Sequence, residues 1–342
     1  IQKIMNKKIC FFCVGTGGHV LPVKNLLIEL ENLGVSPKDI YIISDSRGVQ
    51  YLENLNTNIY ITNAYVSKNG ILGYILNFPK IIKSIYEIKR FLKNQNITVV
   101  LTTGAYIAPI AAVISLLLNA KFFIQEQNVY AGLGNKISAT FAKSVFTSFE
   151  NTKNISKKKL IYTGPIVNTK LTRSDVSLLE NQTIGFMGGS QGSKQINNYV
   201  DKFMQTEHHF NFKIVHVTGK NNDKLDIESK NYQNIDFIEE MDDFYKEIDI
   251  LVGRAGGGSL EAAYLGIPQI LLPYKHGTTS SHQVLNAKYL EERGFGFTVN
   301  SFEEMLTNIK NISEGIKNKE FNLENIPIGN LTISRKLYEQ TN

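Results

Sequence analysis

Short, uniformly apolar runs alternate with longer stretches of helical spacing along most of this chain. In the first half the runs fall at 9–14, 40–44, 59–62, 98–102, 121–125 and 145–149, with helical spacing at 20–33, 71–93, 106–118 and 132–143. The second half repeats the theme, with runs at 183–187, 212–217, 235–238, 249–252 and 269–272. Its helical stretches fall at 193–205, 257–265, 281–292 and 302–315. Apolar runs read as buried strands, and their alternation with helices predicts α/β folding around parallel sheets with crossover helices. Thr163-Gly164-Pro165 and the polar Asn168-Thr169-Lys170 mark a hinge. They divide the chain into an N-terminal domain, 1–163, and a C-terminal domain, 164–342, whose last helix (about 331–342) is expected to pack back on the first. The 342 residues suffice for two separate cores.

In open sheets of this type ligands sit beyond the carboxyl ends of the strands. Glycine turns stand at those ends. Gly15-Thr16-Gly17-Gly18-His19 follows the first run, and Gly188-Gly189-Ser190-Gln191-Gly192-Ser193 follows the run at 183–187. A glycine turn that opens a helix exposes backbone N–H groups at the positive helix end, a setting for phosphate. Neither dinucleotide fingerprint nor P-loop fits the first turn, because Val20 stands where a third glycine would be and no Gly-Lys-Ser/Thr occurs. His19, in the first turn of the next helix, could take a proton from an attacking hydroxyl as a neutral imidazole; it could equally cap or pack.

The third cluster, Gly253-Arg254-Ala255-Gly256-Gly257-Gly258-Ser259, lets a ligand approach the backbone, and Glu261, expected in the first helical turn, could accept both hydroxyls of a ribose. Glu126-Gln127-Asn128 and Thr102-Thr103-Gly104-Ala105-Tyr106 close two further strands. His282-Gln283, with Asn286 one turn on, offers polar groups suited to sugar hydroxyls.

Charge and cysteine content narrow the partners. A net charge of +6 favours anionic ligands or surfaces. Cys10 and Cys13 have redox-motif spacing but lie within a strand, so packing on opposite faces is expected and a reducing cytoplasm fits. No Asp-x-Asp pair ends a strand and no His/Cys cluster has ligand spacing, so no metal and no cofactor is expected. Asp242-Asp243 reads as a solvated helix start. Amides, helix ends and basic residues would then stabilise a leaving diphosphate. No run reaches the roughly 18–20 apolar residues of a membrane span. The apolar N-terminal run leads straight into Gly15 with no signal-peptide series, and Met5 is a more natural start than Ile1.

Residues 71–93 are more apolar than one core-facing helix needs, with Ile75, Phe78 and Ile82 among them and Lys80, Lys83, Lys89, Arg90 and Lys93 interleaved. Either a surface patch for anionic headgroups or an ordinary amphipathic crossover helix accounts for this.

In order along the chain, Gly15 to Pro22, Thr103 to Tyr106, Glu126 to Asn128 with Ala131-Gly132-Leu133, Gly188 to Ser193, Phe237 to Met241, Arg254-Ala255-Gly256 and His282-Gln283 with Asn286-Ala287 resemble the MurG family. Its members add N-acetylglucosamine to the lipid-linked muramyl-peptide precursor of peptidoglycan. The resemblance implies a GT-B fold, two Rossmann-like doubly wound domains with an interdomain cleft, and metal-independent, inverting transfer from UDP-N-acetylglucosamine to the muramyl 4-hydroxyl. It assigns Thr16, Gly17 and Gly18 to the donor diphosphate or the acceptor, with Asn128 nearby, and His19 as the base. Ser190, with Gln191 beside it, falls to the diphosphate. The Ile238 backbone falls to uracil, Gly257, Gly258, Ser259, Leu260 and Glu261 to uridine and ribose, and Gln283, beside His282, to the sugar. It also implies a bacterial peripheral protein on the cytoplasmic face of the cell membrane, serving cell-wall biogenesis, cell shape and division, with an anionic membrane surface and other cell-wall synthesis proteins as partners and no nucleic acid.

The chain departs from the family pattern in places. Asn168 stands for the arginine of Gly-Asn-Pro-Val-Arg at a donor-contacting position, and Gln125 stands where histidine is common. The loop between Arg254 and Glu261 is one residue short, and the Tyr106 loop is also short. Three rivals remain at this stage. They are a related transferase with another lipid or glycan acceptor, a UDP-N-acetylglucosamine epimerase, and a non-catalytic sugar-nucleotide-binding subunit.

Overall fold

The computed structural model describes residues 8–64, 75–173, 182–220, 222, 224–238, 240–274, 280–317 and 325–341. Two compact units emerge, residues 1–166 with 328–342 and residues 167–327.

The first unit is built on a seven-stranded parallel sheet. Its strands are β1 (Lys8–Phe12), β2 (Ile40–Ser44), β3 (Asn58–Ile61), β4 (Ile97–Thr102), β5 (Lys121–Glu126), β6 (Ser144–Thr147) and β7 (Leu160–Tyr162), in the order β3-β2-β1-β4-β5-β6-β7. Phe11 pairs with Ile42 on one side and Leu101 on the other, so the exits of β1, β2 and β4 lie side by side. Successive side chains point to opposite faces. Cys10 and Phe12 pack with Tyr41, Ile43 and Val100 under α2 (Phe78–Leu92) and α3 (Ala108–Leu117). Ile9, Phe11 and Cys13 pack on the other face under α1 (Gly17–Asn32) and the C-terminal helix Asn330–Gln340, through Leu26, Leu30, Ile333 and Leu337. The cysteines therefore serve two separate cores, and burial pushes both thiols up.

The second unit holds a six-stranded sheet of β8 (Gln182–Met187), β9 (Phe212–Val217), β10 (Tyr232–Ile235), β11 (Ile250–Gly253), β12 (Gln269–Leu271) and β13 (Phe297–Thr298), in the order β10-β9-β8-β11-β12-β13. After α4 (Leu133–Ser138) in the first unit come α5 (Lys194–Met204), α6 (Met241–Glu247), α7 (Gly257–Tyr264), α8 (Ser280–Glu292) and α9 (Phe302–Lys317). Ile184, Phe186, Ile250 and Val252 face Ile196, Phe203 and Ile309. Val215, Val217 and Leu251 face Phe244, Tyr245 and Ala262. In both sheets the strand order reverses beside the first strand of the unit, at β1/β4 and β8/β11. Such switch points leave a crevice for ligands.

Several elements differ from the sequence expectation. β7 and β13, of three and two residues, are too short to carry a period. The strand expected at 235–238 lies at Tyr232–Ile235, where Ile235 pairs with Val217. The helix expected over 132–143 stops at Ser138. There Lys159 Nζ takes up the carbonyls of Ala139 and Ala142 at 2.9 Å each, ending the helix with a positive charge where its dipole favours one. Residues 71–74 of the apolar basic stretch lie outside the described residues. Among the described residues no helix is long and apolar enough to cross a membrane.

Candidate active site

In the first unit, the exits of β1, β2 and β4 converge on the turn at 15–18. Thr16 and Gly18 are exposed, whereas Gly17 is buried against Leu21, so the outer rim of the turn is its open side. His19, in the first turn of α1, is half-buried, and its Nδ1 lies 2.9 Å from the Thr103 carbonyl. A carbonyl can only accept, so Nδ1 carries the proton and the neutral ring keeps its lone pair on Nε2. Thr103 Oγ1 donates in return to the His19 carbonyl at 2.6 Å. The imidazole is thus held in the tautomer that a base needs.

Behind the turn sits a residue that pattern reading missed. Asp45, just beyond β2, is buried; its Oδ1 accepts from Gly15 N and Gly48 N at 2.8 Å each. Its Oδ2 accepts from Arg47 Nη2 at 3.0 Å and from the Tyr106 hydroxyl at 3.0 Å. Burial alone would raise this carboxyl, but the four donors outweigh it and hold it below the usual carboxylate range. A polar residue at a strand's carboxyl end was the available signal; its partners come from its own loop and from the exits of β1 and β4.

Asn128 is held in a second loop around another buried carboxylate. Glu126 Oε1 accepts from Asn128 N at 2.9 Å and Asn128 Nδ2 at 3.0 Å. Its Oε2 accepts from Gly132 N at 3.1 Å and Asn135 Nδ2 at 2.8 Å. Glu126 organises the loop that presents Asn128.

In the second unit the turn at 188–193 opens α5, capped by Ser193, whose Oγ accepts from Ile196 N at 3.3 Å. Ser190 is half-buried and Gln191 exposed. Gly192 has φ +72°, and a Cβ there would stand 2.0 Å from the Thr218 carbonyl oxygen, so only glycine fits. Arg254, leaving β11, binds this turn: Nη2 donates to Ser193 Oγ at 2.6 Å and Nη1 to Gln195 Oε1 at 2.8 Å. Nη1 also donates to the Leu272 carbonyl at 2.6 Å, and the guanidinium lies 5.5 Å from the Tyr274 ring. One cation thereby ties together three strand exits.

The helix expected over 257–265 is present, but Glu261's place within it differs from the expectation. The helix α7 begins at Gly257, with Gly256 as N-cap, so Glu261 falls one turn in, not in the first turn. Ser259 and Leu260 are buried, and Ser259 Oγ donates to the Gly256 carbonyl at 2.7 Å. Their side chains pack inward and hold the helix. Gly257 is exposed with open space around it, which suits close backbone approach. Glu261 is half-buried and accepts from the Tyr245 hydroxyl at 2.9 Å. Burial pushes its carboxyl up to about 7, and the Tyr245 bond lowers it only in part.

Ile238 follows β10, its side chain packed on the core beside α6, which leaves the backbone at the sheet edge. Gln283 Oε1 accepts from Tyr274 N at 2.8 Å, and His282 stands half-buried beside it. Asn286, one turn on, is buried, and its Nδ2 donates to the Ala255 carbonyl at 3.2 Å. It supports the Arg254 loop and offers nothing outward. Asn168 Oδ1 accepts from Lys170 N at 3.0 Å, closing an Asx turn at the start of the second unit. Among the described residues no group of three or more His, Cys, Asp or Glu could hold a metal ion.

Residues 9–147 match the glycosyltransferase family 28 N-terminal domain, and residues 183–339 match the family 28 C-terminal domain. The UDP-N-acetylglucosamine–N-acetylmuramyl-(pentapeptide) pyrophosphoryl-undecaprenol N-acetylglucosamine transferase of Rickettsia felis is 30% identical over 350 residues, covering 94% of each chain. The protein of the same name from Thermosipho africanus is 28% identical over 311 residues, covering 89% of this chain and 90% of its own. The crystal structure of Acinetobacter baumannii MurG superposes with a TM-score of 0.69 at 22% identity, covering 97% of this chain and 99% of that one. Two doubly wound α/β units of this kind are the GT-B fold. With both family 28 domains matched in order and relatives aligned over nearly the whole length, the chain belongs to the MurG family of glycosyltransferases.

Proposed function

We propose that this protein transfers N-acetylglucosamine from UDP-N-acetylglucosamine to the 4-hydroxyl of a lipid-linked N-acetylmuramyl-pentapeptide, the step from lipid I to lipid II in peptidoglycan synthesis. The Rickettsia felis and Thermosipho africanus relatives carry that activity in their names. The observation that carries the mechanism is the Nδ1–Thr103 bond of His19, which leaves Nε2 as proton acceptor. The 4-hydroxyl oxygen bonds to the anomeric carbon as the carbon–oxygen bond to UDP breaks, and the hydroxyl proton passes to His19 Nε2. Attack from the face opposite the leaving group inverts the anomeric centre.

The second unit takes the donor. Amides of the turn at 188–193 and the N-terminus of α5 receive the diphosphate around Ser190 and Gln191, with Arg254 adding positive charge. Glu261 takes the ribose hydroxyls, the Ile238 backbone the uracil, and Gln283 with His282 the sugar. The first unit takes the acceptor at Thr16, Gly18 and Asn128. No metal enters this reading. The acceptor's lipid stays in the bilayer, and the face bearing Ile75, Phe78, Ile82, Lys80 and Lys83 rests on its anionic cytoplasmic surface. On that surface the protein serves cell-wall growth, cell shape and division beside other cell-wall synthesis proteins.

Incubating the protein with radiolabelled UDP-N-acetylglucosamine and lipid-linked muramyl-pentapeptide, with a chelator present, is expected to label the lipid. Conversion of the donor without acceptor would identify an epimerase, and donor binding without transfer would identify a silent binding subunit.

A further inference from the structure

The geometry points to Arg47 as the residue that binds the acceptor's diphosphate, with Asp45 as the positioning residue that holds it there. This role rests on the reading of the turn at 15–18 as the acceptor side. Arg47 lies just beyond β2, and its Nε and Nη2 donate to Asp45 Oδ2 at 3.2 and 3.0 Å. The guanidinium stands at the turn itself, since a methyl group on Gly15 would lie 3.6 Å from Arg47 Nη2. Half of the side chain, 51%, is exposed, while Asp45 is 8% exposed.

This division of exposure separates the two roles. Asp45 has no face to offer a ligand, and its four donors come from the exits of β1, β2 and β4. The carboxylate therefore fixes the turn, the Tyr106 loop and the Arg47 guanidinium in one frame. Arg47 carries a planar, half-exposed guanidinium at the turn, a shape and charge that match phosphate oxygens. Asp45 offsets part of the guanidinium charge, so the contact discriminates by geometry more than by net field. The acceptor carries a diphosphate between sugar and lipid, and no residue assigned above supplies a cation to it.

The test compares wild type, Arg47→Gln and Arg47→Lys with two acceptors, one carrying the diphosphate and one with an uncharged linker in its place. For the diphosphate acceptor, Arg47→Gln should raise KM about tenfold, the size of one charge-assisted contact, with kcat and the KM for UDP-N-acetylglucosamine within about twofold. Arg47→Lys, a point charge without the fork, should fall between. With the uncharged acceptor, wild type and Arg47→Gln should behave alike. Asp45→Asn should reproduce the selective KM rise, and adding Arg47→Gln to it should change nothing further. An unchanged acceptor KM in Arg47→Gln, or an equal loss with both acceptors, overturns the contact. Multiplying effects in the double variant overturn the role of Asp45. If wild type transfers nothing to the diphosphate acceptor, the acceptor reading itself falls and takes this role with it.

Discussion

His19 and Thr103 exchange hydrogen bonds in both directions, ring Nδ1 to the Thr103 carbonyl at 2.9 Å and Thr103 Oγ1 to the His19 carbonyl at 2.6 Å. The pair joins the exits of β1 and β4, so the imidazole is oriented by the sheet. Replacing His19 by alanine should lower kcat by about 10²–10⁴, the usual worth of a positioned base. Donor affinity measured by calorimetry should stay unchanged. Near-normal turnover would remove His19 as the base.

The proposed contact of Glu261 with the ribose makes donor binding depend on pH. Burial pushes the Glu261 carboxyl up to about 7, and the ionised form is the one suited to accept from both ribose hydroxyls. Donor affinity should therefore rise between pH 6 and 8, and Glu261→Gln should bind weakly and without this slope. Tyr245→Phe removes the bond that lowers the carboxyl, so the rise should move to higher pH. Stability without donor should run the opposite way. The folded value lies above the ordinary one, so stability is complete below about pH 4.5 and declines as pH rises through 7. Isothermal titration across this range reads the first effect, and denaturant midpoints read the second.

His216 carries a separate acid sensitivity. It is fully buried in β9, with Nδ1 2.9 Å from the Tyr232 hydroxyl and Nε2 3.1 Å from Asn197 Oδ1. Burial lowers its pKa from 6.5 to about 4. Between these values the unfolded chain binds a proton that the folded one refuses, so stability is present above 6.5 and lost as pH falls toward 4. The loss is on the order of 3 kcal/mol. Urea midpoints of wild type should fall across that window, and those of His216→Gln should be flatter after a lower start. Parallel pH curves for the two proteins would contradict this account.

The apolar positions of α2 and the turn before it serve two different ends. Ile81, Ile88 and Leu92 are buried in the core, while Ile75, Phe78 and Ile82 are 63%, 60% and 50% exposed. Changing the exposed three to serine should leave the melting temperature within a few degrees yet weaken sedimentation with anionic vesicles. Ile88→Ser should instead lower the melting temperature, since it buries a hydroxyl and opens a cavity. Lys80→Glu with Lys83→Glu should reduce the preference for anionic over neutral lipid. Unaltered vesicle binding in both multiple variants would return this face to ordinary surface.

The placement of the candidate site's turns was readable without coordinates, because backbone chemistry at a strand exit is written locally. The apolar run ending at Val14, the glycines after it and His19 in the next helical turn needed only short-range pattern. The same holds for the turn at 188–193 and its Ser193 cap. Side-chain direction was not readable in the same way. Ser259, Leu260 and Asn286 stand among candidate ligand positions in the sequence, and their side chains are buried. Glu261 lies a turn deeper than expected because the helix starts at Gly257, as its pattern predicted, and Glu261 is its fifth residue.

Local pattern determined the alternation of strand and helix, the two glycine-headed units and the family, since each depends on residues within a turn or two of one another. Only tertiary structure decided that Asp45 grips Gly15 and Tyr106, that Thr103 sets the His19 tautomer, and that Arg254 spans three exits. Those relations follow from strand order. Which strands become neighbours is settled by burying both faces of a sheet at once, a condition on the whole unit that no short segment records.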